Sequence, residues 1–279
     1  MSRPNEQVSE ASKSDARFSA APASVVSKVI PSDVDARDVL LPGVVFAMVT
    51  LAWEFLAPAA GIEPYILPTP SAIASAFVAE HPRILSALET TLVEFFLGFS
   101  GTVVAGYLLG LAMAYSKTLE VTFYPYIVII RSIPIVTLLP MFLIWFGFGF
   151  NSIVIISFLI GFFPMVVNTL SGMKSTDDEL VEMLESFSAN RREVYRNVFL
   201  YSSLPSVFAA LKICTILAFT GAIVGEFLLG KAGIGALILQ YNSSFDTAPM
   251  FASILTISFT ELLIFGTIHK LEDLVVDWQ

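Results

Sequence analysis

The stretch Gly225-Glu226-Phe227-Leu228-Leu229-Gly230-Lys231 comes within one residue of a phosphate-binding loop. The next position, where a Ser or Thr hydroxyl would reach a magnesium ion, is Ala232. The stretch also lies in an apolar helix that the topology below sends to the outer face, where ATP is absent. Nucleotide chemistry is therefore refused. The two histidines, His81 and His269, are far apart with no metal-ligand spacing, so no metal is expected. They build no Ser/His/Asp or Cys/His arrangement either. The single cysteine, Cys214, excludes an intramolecular disulfide and reads as a small packing residue.

The chemistry that remains is charge inside apolar runs. Glu54, Glu94, Arg131, Lys212, Glu226 and Glu261 all fall there. Such residues usually face a bundle interior or a cavity. Lys212 is placed to snorkel towards the nearer surface. Glu54 and Glu261 are central enough to require a partner or a proton. Arg131 precedes Ser132-Ile133-Pro134, and Pro134 and Pro140 should distort their span and free backbone carbonyls. Two readings stand: Arg131, with Ser132, helps to form a polar path across the membrane, or it makes a structural ion pair with a membrane glutamate. Asn168, Thr220 and Glu226 are further path candidates. For Asn168 and Thr220 the alternative is a bond to neighbouring backbone, and for Glu226 simple contact with water near the outer end.

A second concentration of charge lies between Ser175 and Pro205, which holds nine charged side chains: Asp177, Asp178, Glu179, Glu182, Glu185, Arg191, Arg192, Glu193 and Arg196. Charge of that density is excluded from lipid. Thr176 and Glu179 form a T-x-x-E capping box, with Asp177 and Asp178 in the favourable first turn. Leu180, Leu184 and Phe187 then make one apolar stripe. A break is expected near Ser188–Ala189, and Asn190 with Glu193 starts a second helix. Its apolar face runs through Val194, Val198 and Tyr201 to Leu204-Pro205. Two caps and a continuous stripe indicate a docking element rather than a solvated loop.

The elements around it are membrane spans. Of 279 residues, 56% are hydrophobic and 14% charged, and the mean hydropathy is +0.78. Soluble domains carry about 25% charged residues. A spanning helix needs about 20 apolar residues, and six runs qualify, at roughly 40–60, 91–115, 122–146, 151–173, 205–229 and 250–269. Gly98, Gly101, Gly106 and Gly110 in the second run favour close helix packing over a hinge. Ser71 is placed to cap a short amphipathic helix, Ser71 to Ala79, at the outer face. With the N-terminus in the cytoplasm, eleven of the fifteen Lys and Arg fall inside, Arg83 and Lys231 outside, and Arg131 and Lys212 within spans. Both termini and the 175–204 segment are then cytoplasmic. Residues 1–38 read as a disordered cytoplasmic tail without a signal peptide, and 39–279 as one six-helix membrane domain. A net charge of -9 and the lack of a basic, aromatic-laced cluster argue against nucleic-acid binding.

The cytoplasmic segment resembles the "EAA" loop of ABC-importer permeases. Glu182 takes the Glu position, Met183 and Leu184 replace the two alanines, Ser188 stands where the family has Gly, Val198 is the apolar position, and Leu204-Pro205 closes the motif. The resemblance extends over about 40–279. Pro68-Thr69-Pro70-Ser71, Leu139-Pro140, Ile144-Trp145-Phe146-Gly147, Phe163-Pro164 and Gly221-Ala222-Ile223-Val224-Gly225-Glu226-Phe227 are similar to permeases of the nitrate/sulfonate/taurine group. That group also holds pyrimidine-precursor and riboflavin importers, and the Gly221–Phe227 string is nearest to this heterocycle branch.

The resemblance implies an all-α, type I ABC-importer permease fold in a bacterial inner membrane, with no cofactor in this chain. It implies a second permease copy in a homodimer, a cytoplasmic ATPase dimer that binds ATP and Mg, an extracytoplasmic solute-binding protein, and surrounding lipid. The coupling residues it implies are Asp178, Glu179, Glu182, Glu185, Phe187, Ser188, Arg191 and Arg192. The solute it implies is a small organic anion or a heterocycle. A secondary transporter or channel is the alternative, although no matched pair of broken helices is evident. A membrane enzyme fails for want of a catalytic constellation, and a scaffold role is only weakly opposed by the internal charges.

Overall fold

The computed structural model describes residues 36–176, 178–187, 190–194 and 198–276. Among them the chain is helical, in ten helices: α1 Ala36–Ala59, α2 Pro70–Tyr115, α3 Lys117–Arg131, α4 Ile135–Phe146, α5 Phe150–Lys174, α6 Asp178–Ser186, α7 Arg191–Val194, α8 Leu200–Leu229, α9 Ile234–Ser243 and α10 Thr247–Val275. Five are long and apolar enough to cross a membrane, or six if the bent pair α3–α4 counts as one span. The chain divides into a unit ending at Leu56 and a unit from Ala57 onward. The first is the N-terminal part of α1. Ala36, the first described residue, is already helical and falls inside the segment read as tail; residues 1–35 lie outside the described residues.

In the second unit, the core is a layer of three long helices with α5 between α2 and α8. Backbones approach because small residues face each other. A Cβ added at Gly98 would stand 2.5 Å from Ser157 Oγ, and one at Gly110 would stand 2.7 Å from Thr169 Cβ. The glycine run therefore serves packing, as expected, and not a hinge. Small polar groups bond across the same contacts. Thr102 Oγ1 donates to Phe158 O at 2.8 Å, Ser157 Oγ to Ala218 O at 2.9 Å, and Cys214 Sγ to Gly161 O at 3.2 Å. Phe95 meets Phe219 edge-on, with centroids 5.2 Å apart.

One sequence expectation is corrected here. The short helix 71–79 and the span 91–115 are one helix of 46 residues with Pro82 inside it. At 1.5 Å per residue it is about 69 Å long, against about 30 Å of hydrocarbon, too long to lie wholly within the bilayer core. Pro70 occupies its first turn, and the cap is Thr69 rather than Ser71: Thr69 Oγ1 accepts from Ala72 N at 3.4 Å. The turn between α4 and α5 uses Gly147 and Gly149 at φ 79° and 98°. It is pinned by Gly149 N donating to Leu229 O at 2.8 Å and Ser152 Oγ donating to Gly147 O at 2.5 Å.

Candidate functional site

The segment between α5 and α8 is built as a projecting docking element. Helix α5 closes with Ser175 Oγ donating to Gly172 O and Thr176 Oγ1 to Met173 O, both at 2.9 Å. Lys174 ties this end to α3 by an ion pair with Glu120 at 2.6 Å. Helix α6 follows with nine residues. Of the expected stripe, Leu180 and Phe187 are 43% and 77% exposed while Leu184 is half-buried, and the neighbouring Met183 is 49% exposed. Glu179 and Glu182 are exposed as well.

The second capping box is present in full, with Asn190 N donating to Glu193 Oε2 at 2.9 Å and Glu193 N to Asn190 Oδ1 at 3.1 Å. Val194 and Val198 are buried, but Tyr201 is 58% exposed, so the second apolar face stops before Tyr201. Helix α8 already runs by Leu200 and carries Pro205 within it, so no break stands at Leu204-Pro205. Asp177, Ser188, Ala189 and Arg196, with the side chains of Asp178, Glu185, Arg191 and Arg192, lie outside the described residues.

The third apolar run is broken at Pro134, whereas Pro140 lies inside α4. α3 ends at Arg131, α4 starts at Ile135, and the two are bent by 96°. Each half is too short to cross about 30 Å of hydrocarbon alone. Arg131 and Ser132 sit exposed at the corner. Ser132 Oγ donates to Val128 O at 2.9 Å. Among the described residues of the second unit no carboxylate lies within ion-pairing distance of Arg131. Asn168 Nδ2 donates to Pro164 O at 2.8 Å, the local backbone bond foreseen for it. Thr220 is exposed on α8.

Glu226 is not wet. It is 1% exposed and lies where α2, α8 and the start of α9 meet. Oε1 accepts from Thr91 Oγ1 at 2.5 Å and Oε2 accepts from Gly235 N at 2.6 Å. Thr91 Oγ1 accepts in turn from Ile234 N at 2.9 Å. Gly233 and Gly235 leave no room for a Cβ against this carboxyl group. Glu94, one turn beyond Thr91, is buried beside Glu226 at 2% exposure. Thr91 was missed as a partner, although its i, i+3 spacing to Glu94 puts both on one face of α2.

Lys212 has a fixed partner. Its ammonium pairs with Glu272 of α10 at 2.6 Å, with both side chains less than one-fifth exposed. His269, Glu272 and Asp273 converge closely enough to suggest a metal. The Lys212 ammonium already occupies Glu272 Oε2, which opposes a cation there. Glu261 is half-buried, and no ion pair reaches it among the described residues.

Comparison with known proteins bears on this geometry. Residues 103–273 match the family model described as binding-protein-dependent transport system inner membrane component. The chain is 34% identical over 241 residues to the formylaminopyrimidine transport permease protein ThiX of Halalkalibacterium halodurans, covering 86% of this chain and 96% of that protein. It is 32% identical to the riboflavin transport system permease protein RibX of Chloroflexus aurantiacus, over 85% of this chain and 89% of that one. The taurine transport system permease protein TauC of Escherichia coli is 25% identical, over 87% and 91%. In fold, the chain is similar to the MetNI methionine ABC transporter in an inward-facing form, with TM-score 0.61 and 19% identity over 68% of this chain and 95% of that one.

Proposed function

We propose a mode of coupling and a solute class for this chain, which belongs to the family of binding-protein-dependent transport system inner membrane components. It is a permease subunit of an ABC importer, a multi-pass protein of the plasma membrane and not an enzyme; ATP hydrolysis belongs to a separate subunit. Its partners include an ATPase and a solute-binding protein. The secondary-transporter alternative is thereby set aside.

The observation that carries the coupling is the exposed apolar side of α6. Leu180, Met183 and Phe187 are exposed on a short acidic helix. An uncovered apolar side flanked by carboxylates suits a groove on a soluble partner. In our reading the 175–204 segment seats in the ATPase through Asp178, Glu179, Glu182, Glu185, Phe187, Ser188, Arg191 and Arg192. The excess of Lys and Arg on that side supports a cytoplasmic position for it and for both termini, including the 1–38 tail. ATP and Mg are held by the ATPase dimer and no cofactor by this chain. A homodimer of permeases would enclose the path. In this reading Arg131 and Ser132, exposed at the α3–α4 corner, would line the path together with Asn168, Thr220 and Glu226.

For the solute, greater identity to the formylaminopyrimidine and riboflavin permeases than to the taurine permease supports a nitrogen heterocycle. The test is uptake into proteoliposomes holding this chain, its ATPase and its binding protein. ATP-dependent accumulation of labelled formylaminopyrimidine or riboflavin, with none of taurine or nitrate, is the expected result. Accumulation of taurine or nitrate alone would overturn the heterocycle assignment.

A further inference from the structure

The charge count leaves two cations, Arg83 and Lys231, at the end of the molecule opposite the docking segment. Remote in sequence, they line one cavity of about 340 Å³ between α2 and the turn into α9, walled also by Ser86, Thr90, Gly233 and Gln240. That volume is within the range of small-molecule sites. Arg83 is held in place there. Its Nη2 donates to Gln240 Oε1 at 2.7 Å, and its guanidinium lies over the Tyr241 ring at 5.2 Å from the centroid.

Negative charge nearby is already engaged. Glu80 stands 3.8 Å from Arg83 and accepts from Tyr241 Oη at 2.9 Å. The Glu226 carboxyl behind Gly233 accepts from Thr91 and Gly235. Lys231 is exposed, and no carboxylate of a described residue lies within ion-pairing distance of it. An ammonium with three donors, a fixed guanidinium and two hydroxyl side chains thus share one concave site in a chain of net charge -9.

We propose that this cavity binds an oxyanion, the carboxylate, sulfonate or phosphate group of a small molecule. An ammonium beside an oriented guanidinium matches an oxygen-rich anion and leaves a neutral ligand with the ammonium unpaired. That the cavity opens to the outside rests on the orientation proposed above; the binding itself does not. The oxyanion has two sources, a free solute or the phosphate of an anionic lipid.

The full-length chain, purified with whichever subunits accompany it, is placed in phosphatidylcholine nanodiscs and titrated with triflate, read by 19F NMR line broadening. The expected result is saturable broadening, reversed by inorganic phosphate. It should weaken about tenfold in Lys231→Ala, the loss of one charge-assisted contact, and be retained in Lys231→Arg and in the control Lys270→Ala. Thermal unfolding of each variant separates lost binding from lost fold. Repeating the titration with phosphatidylglycerol in the disc separates the sources. Unchanged triflate binding assigns the site to free anions, and Lys231-dependent displacement assigns it to lipid phosphate. Broadening that does not saturate, or that Lys231→Ala leaves unchanged, overturns the proposal. Because no transport or ATPase step is read, a failed importer assignment would not mimic this result.

Discussion

Thr91 Oγ1 donates to Glu226 Oε1 at 2.5 Å and accepts from Ile234 N at 2.9 Å, so one hydroxyl joins α2, α8 and the start of α9. With Gly235 N on Oε2, both carboxyl oxygens are used, and α9 is fastened by its first turn to the membrane core. Helix α9 also walls the cavity that holds Arg83 and Lys231. The fastening thus fixes a candidate binding surface as well as a fold.

Glu226→Ala should destabilise the protein by about 2–4 kcal/mol, since it leaves Gly235 N buried without an acceptor and opens a void. Glu226→Gln keeps one carbonyl acceptor and should cost about half as much. Thermal unfolding in detergent, followed by circular dichroism, reads both. Equal midpoints for wild type and Glu226→Ala would remove the fastening role.

Gly98→Leu should disrupt the α2–α5 contact and lower the yield of folded protein, because even a Cβ would meet Ser157 Oγ at 2.5 Å. At Gly101 the nearest atom is Phe158 Cδ2 at 3.1 Å, so Gly101→Ala should be mild. Size-exclusion profiles of the two variants test the contrast.

Lys212 and Glu272 lie 2.6 Å apart, under one-fifth exposed. Breaking such a pair on one side should cost about 3 kcal/mol, with Lys212→Met plus Glu272→Leu together costing less than either alone. A double-mutant cycle on unfolding midpoints measures the coupling, and additive effects would show that the pair contributes none.

Tyr241, on α9 outside the spans, has its phenol pushed up to about 12 from 10.0, first by burial and then by donation to Glu80 and that carboxylate's negative charge. The folded state therefore holds this proton more tightly than the unfolded one. Its stabilisation is full below pH 10 and is lost as pH rises through about 12. The stability of Tyr241→Phe should lack this phase, as followed by unfolding across that window.

Much of this was legible because it rests on local rules. Apolar run length marked the spans, Pro134 marked the broken one, and the Asn190–Glu193 box appears with both of its bonds. The misplaced features depend on partners distant in the chain. Burial of Glu226 needs Thr91 and the α9 turn, and fixing Lys212 needs Glu272 from the last helix. Neither can be derived from spacing within one run. The merging of 71–79 with the second span was hidden by Pro82, which a helix accepts at a cost that helix propensity cannot weigh against packing. The convergence of Arg83 and Lys231 is likewise tertiary.

The central claim is that the 175–204 segment couples this permease to an ATPase. Co-purification from membranes, comparing wild type with Glu182→Lys, tests it most directly. Glu182 is exposed on α6, so reversing its charge should leave the spans folded. The account predicts that wild type retains an ATPase subunit and that Glu182→Lys loses most of it at an unchanged unfolding midpoint. An ATPase retained equally by both would contradict the placement of the contact, and no ATPase with either would contradict the coupling itself.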